Sequence, residues 1–171
     1  MRKKRKLTTI SLILILSISL MITVIPIVNS QTTTKTVSSN AYCAVSPNPV
    51  GVNQEVTILM WLTQFNPTTS GVGGDRWENY QLLITAPDGT TQNFGPFTAD
   101  PAAFAYIFFT PTQIGTYTIE FTFPGQEVKG ITGFLGLFSV DLYYEASSFT
   151  TTLTVQQEPV TATPQTPLPT E

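Results

Sequence analysis

The chain has 171 residues, no histidine, a single cysteine and 11% charged residues. Without histidine there is no Ser-His-Asp or Cys-His relay and no usual general base, and one cysteine supplies neither a zinc cluster nor an internal disulfide. Beyond residue 30 only Lys35, Arg76 and Lys129 oppose eleven carboxylates, a net charge of −8 that disfavours nucleic acid.

Residues 1–30, "MRKKRKLTTISLILILSISLMITVIPIVNS", open with five basic residues and continue in an apolar run from Leu7 to Val28. Val28 and Ser30 occupy the −3 and −1 positions of a small-residue cleavage site. This is the pattern of a secretory signal peptide and places the protein outside the cell or on its surface. The run is also about as long as the ~20 residues needed to span a bilayer. An uncleaved anchor is therefore the alternative, and the one membrane contact expected. Residues 31–40, "QTTTKTVSSN", read as a polar tether.

From Ala41 to Gln157 the chain shows period-two stretches and no helical period. "AYCAVS" is a short strand, with Cys43 read as a small buried hydrophobe. "EVTILMWLTQF" places Val56, Ile58, Met60 and Leu62 on one face. A long glycine-bearing loop follows, "NPTTSGVGGDRWEN". Its "GVGGD" lacks the Lys-Ser/Thr of a phosphate loop. "YQLLITA" and "TQNFGPF" form a hairpin across Asp88-Gly89. "AFAYIFFT" is a nearly continuous apolar strand. In "TYTIEFTF", Tyr117, Ile119, Phe121 and Phe123 point one way. After an irregular stretch, "SSFTTTLTVQQ" closes the domain with Phe149, Thr151, Leu153 and Val155 on one face. Residues 158–171 are a Pro/Thr-rich linker. About seven short strands separated by turns predict an all-β, immunoglobulin-like two-sheet β-sandwich. Tyr117, two residues after Gly115, fits the tyrosine that ties the corner before a late strand of such sandwiches.

The runs "SPNPVGVNQEVTI", "APDGTTQNFGPFTAD", "FTPTQIGTYTIEFTFPGQ" and "YYEASSFTTTLTVQQEP...PLPTE" resemble a family of archaeal secreted proteins. In that family an N-terminal immunoglobulin-like module precedes a PQQ-like β-propeller, joined by a linker much like "PLPTE". The resemblance covers most of residues 45–171. It implies a structural module and carries no catalytic residue. No propeller follows within these residues, so a short relative or a truncated frame is expected.

No catalytic residue, cofactor or metal site is expected. Asp75, Glu78, Asp88, Asp100, Asp141 and Glu145 read as turn carboxylates, without the Asp-x-Asp-x-Asp spacing of a calcium loop. Aromatics are the surplus. Leu59 and Trp61 oppose the inward set of their strand. With Ile107 and Phe109 of the neighbouring strand they are expected to form an outward apolar patch, which would mark a docking surface. The alternative is that "GITGFLGLFSVDLYY", 130–144, folds back over it. Trp77 and Tyr80 flank the glycine loop, where aromatics could stack on sugar rings or instead plug the end of the core. The expected function is a non-enzymatic spacer or docking module with a protein or envelope partner, or a following propeller; the alternative is a carbohydrate-binding module.

Overall fold

The computed structural model describes residues 34–68, 74–132 and 139–161, all within the unit Thr32–Glu171. The signal segment, the loop at 69–73 with most of "GVGGD", the stretch 133–138 and the linker from 162 onward lie outside the described residues. No helix occurs among the described residues, so none there is long and apolar enough to cross a membrane.

The architecture is all-β. The strands are β1 (Thr34–Val37), β2 (Ala41–Ser46), β3 (Val50–Gly51), β4 (Val56–Leu62), β5 (Tyr80–Thr85), β6 (Thr91–Phe97), β7 (Phe104–Phe109), β8 (Gly115–Phe123), β9 (Gln126–Thr132), β10 (Ser139–Tyr144) and β11 (Ser147–Gln156). Three sheets result, in the orders β2-β4-β7, β3-β11-β8-β5-β6 and β1-β10-β9. The first two share a core, consistent with a β-sandwich. Alternation builds that core directly. Val56, Ile58, Met60 and Leu62 of β4 are buried, as are Leu82 and Ile84 of β5, Ile119 and Phe121 of β8, and Leu153 and Val155 of β11.

The third sheet falls where the sequence suggested a tether and an irregular stretch. Thr34–Val37 forms a strand parallel to β10, and Ser39 is buried with its hydroxyl donating to the Glu145 carbonyl at 2.7 Å. The tether is thus a sheet edge, favoured by the β-branched "TKTV". Strands β9 and β10 extend the β8–β11 ladder: Phe123 faces Ser147, and Gln126 faces Tyr144 in the same register. Between them the chain bends at Pro124-Gly125. Gly125 has φ +90°, and a Cβ there would lie 2.8 Å from the Tyr144 carbonyl oxygen. The first residues of the linker are also held. The Gln54 amide donates to the Val160 carbonyl and accepts from the Val160 N–H, both at 3.0 Å. A side chain here imitates a backbone ladder partner.

At this same end, where β11 finishes and β8 begins, the turns are tied through one residue. The Gln113 N–H donates to the Tyr117 hydroxyl at 2.9 Å, closing the corner before β8. The Gln113 side-chain amide donates to Asp88 Oδ2 at 2.8 Å in the β5–β6 turn. Gly115 has φ +131°, and a Cβ there would meet Pro87 Cγ at 2.9 Å, so this corner requires glycine. Tyr117→Phe removes the corner bond while leaving the ring packed. The expected loss is ~1–2 kcal/mol, read as a lower denaturant midpoint with unchanged slope; an unchanged midpoint would show that the hydroxyl does not hold the corner.

Candidate functional site

The register of β2-β4-β7 defines a face. Opposed residues of an antiparallel pair project to the same side. Three rows therefore stand outward: Tyr42-Trp61-Phe104, Ala44-Leu59-Tyr106 and Ser46-Thr57-Phe108. None of these nine positions is charged. Tyr106 and Phe108 are 59% and 60% exposed, and Tyr42 is 40% exposed. The rings are ordered against one another. Tyr42 stacks on Trp61 at 5.9 Å with an interplanar angle of 18°. Trp61 meets Phe104 at 6.1 Å, and Tyr106 meets Phe108 edge-on at 5.6 Å. A contiguous exposed apolar patch of this kind is what docking surfaces present.

Half of the patch expected from sequence is corrected. Leu59 and Trp61 stand on this face, half-buried. Ile107 and Phe109 do not. Ile107 opposes Ile58 and Phe109 opposes Val56, so both turn inward; Phe109 is only 7% exposed and Ile107 packs against the core. Their places are taken by Phe104, Tyr106 and Phe108. Every residue of "FAYIFF" is apolar or aromatic, so the sequence carries no polar residue to mark which parity faces water.

The expected sugar contacts are corrected as well. Trp77 and Tyr80 are both fully buried, at 0% exposure, and offer no ring face to a ligand. The Trp77 indole N–H donates to the Gln64 carbonyl at 3.2 Å. Its ring lies edge-on to Phe123 at 5.5 Å and to Tyr144 at 4.7 Å. The Tyr80 hydroxyl reaches the Ala103 carbonyl at 3.4 Å. Both residues close one end of the core.

Three of the carboxylates brace turns or the β9–β10 register shift. Asp100 Oδ1 accepts from the N–H groups of Ala102 and Phe104, and Asp141 Oδ1 accepts from the Gly130 N–H. Asp88 is held below the ordinary carboxylate range, first by the Thr90 hydroxyl, then by the Thr90 N–H and the Gln113 amide. Its contribution is present above the ordinary value and is lost as pH falls through the lowered one.

Cys43 faces inward on β2, and burial pushes its thiol from 9.0 up to about 12. Burial raises the Tyr80 hydroxyl in the same direction. The apolar environment disfavours the thiolate, so the group is chemically quiet in the native state.

No protein-family model, curated protein or solved structure matches this chain.

This geometry makes three measurable predictions. Trp61 is half-buried on the outward face and Trp77 is enclosed, so a collisional quencher should reach one tryptophan. Trp61→Phe should leave blue-shifted emission that resists acrylamide; emission that remains readily quenched would contradict the burial of Trp77. Cys43 should resist iodoacetamide at pH 8 in native protein and react fully in denaturant. Because the Cys43 and Tyr80 values are raised on folding, their contribution is complete below the unfolded values. It fades as pH rises from about 9 toward 12. Thermal unfolding recorded across that window should show a falling midpoint.

Proposed function

We propose that the chain is a non-enzymatic structural and interaction module of the cell surface. In this reading it is an immunoglobulin-like sandwich that docks a protein or envelope partner on the face around Trp61. The carrying observation is that face: nine adjacent outward positions without a charge, two of them aromatics more than half exposed. The chain around it carries eleven carboxylates. Water-facing sheet surfaces normally alternate in polar residues, so an uncharged aromatic grid is a departure that solvation alone does not favour.

Three features support the immunoglobulin-like assignment. The first strands pair as β2-β4-β7, while β3 crosses over to pair in parallel with β11 of the other sheet. Strands β5 and β11 flank β8. The Tyr117 hydroxyl closes the turn before β8. Secretion rests on the basic and apolar N-terminal segment. The resemblance to modules that precede a PQQ-like propeller gives the spacer role, with a propeller as the neighbour so positioned.

The test is retention of labelled full chain on isolated cell envelopes. A Trp61→Ala, Tyr106→Ser double variant with unchanged circular dichroism should bind at least about tenfold more weakly, as loss of central aromatic anchors does. A Thr118→Ala variant on the opposite sheet should bind as the parent does. Equal retention of parent and double variant would sink the proposal.

A further inference from the structure

We infer that two copies of the chain join edge to edge through β7, antiparallel about a two-fold axis, so that their β2-β4-β7 sheets become one continuous sheet. Among the described residues, the hydrogen-bond alternation leaves β7 with a free edge. The Thr63 N–H donates to the Asn40 carbonyl, so the odd-numbered residues of β4 bond β2 and the even-numbered ones bond β7. Their opposites on β7 are Ala105, Ile107 and Phe109. The N–H and C=O groups of Phe104, Tyr106 and Phe108 therefore point away from β4. Those of Phe104 are both engaged by Asp100, whose N–H donates to the Phe104 carbonyl and whose carboxylate accepts from the Phe104 N–H. This independently confirms the direction. Tyr106 and Phe108 remain along an open edge beside a hollow of about 430 Å³ lined by Pro96, Phe97 and Arg76.

Exposed edges invite pairing, and proteins blunt them with charge, proline, bulges or brevity. The other edges described here carry such devices. Strand β3 is two residues long. Strand β6 contains Gly95-Pro96 and β9 contains Glu127 and Lys129. Strand β1 is short and contains Lys35. The edge of β2 is shielded where Tyr42 packs on Phe149 of β11 at 5.3 Å. Strand β7, "FAYIFF", has none of these.

The edge needs an extended, uncharged strand, and the chain itself carries one. No charged residue lies between Asp100 and Glu120, so two copies of an acidic chain meet here without like charges facing. With Tyr106 of one copy opposite Phe108 of the other, each exchanges N–H···O bonds both ways. The two-fold axis repeats the exchange and closes the assembly. The outward aromatics of both copies then run on as one surface. The inference is independent of what docks there.

Sedimentation of the full chain in a mild detergent tests it, with Phe108→Pro, Phe108→Thr and Ala44→Lys variants. Proline removes the edge-facing N–H and is tolerated on an edge strand. Threonine removes the ring but keeps the N–H. Lysine at 44 charges the outward face far from the edge. A concentration-dependent dimer is expected, retained by Phe108→Thr and Ala44→Lys and weakened at least about tenfold by Phe108→Pro, with unchanged circular dichroism. A parent that stays at the same mass as Phe108→Pro at every concentration overturns the inference. So does a dimer that Phe108→Pro leaves intact, or one that Ala44→Lys abolishes.

Discussion

The fold rests on a ring cluster buried at one end of the core. Trp77 lies edge-on to Phe123 and Tyr144, and Tyr80 lies edge-on to Phe121 and Phe123. Each such pair contributes ~0.5–1.5 kcal/mol beyond the area it buries. The cluster joins three segments far apart in sequence: the loop before β5, the end of β8 and the end of β10. Around it the polar groups are satisfied. Asn66, buried in the same region, accepts from the Trp77 N–H and donates to the Asp100 carbonyl. The Gln126 amide bonds the backbone of Arg76 and Glu78. The single cysteine is left with packing as its only role, and burial keeps it there as a thiol.

The ring cluster also fixes how the outward face is presented. It seals the end of the core where loops meet, and Asp100 organises the turn that delivers Phe104 into β7. The face depends on that delivery. A shift of one residue in β7 would send Tyr106 and Phe108 inward and lift Ile107 and Phe109 into water. The position of the Asp100 turn therefore decides which aromatics are displayed.

Much of the fold was legible in the sequence. Thr116, Thr118, Glu120 and Thr122 mark the wet side of β8, and Asp88-Gly89 marks the β5–β6 hairpin. Thr57 gives β4 a parity. The displayed face was legible only in part, because β7 offers no polar residue to break the tie between its two faces. Trp77 and Tyr80 left two readings open, a sugar contact and a plug of the core, for a different reason. Their burial depends on Phe123 and Tyr144, which come from more than forty residues downstream, and no local pattern announces such a meeting. Strand β1 and the β9–β10 pair carried weaker signals, namely the β-branched "TKTV" and the apolar Val128 and Ile131, whose spacing of three breaks the period of two at a register shift. Glycines interrupt the second and threonine-rich polarity obscures the first.

The grip of Gln54 on Val160 has a mechanical consequence. The chain enters beside β10, at the end where β11 begins, and leaves past the other end of β11. Strand β11 is ten residues long, or about 33 Å at ~3.3 Å per residue. A pull between the two ends runs along β11, against a full ladder with β8 on one side and the parallel contact with β3 on the other. Such a pull loads those hydrogen bonds together in shear, so that they resist collectively instead of opening one at a time. Gln54 clips the exit onto this line of force, which makes the domain a stiff link between whatever lies at its two ends.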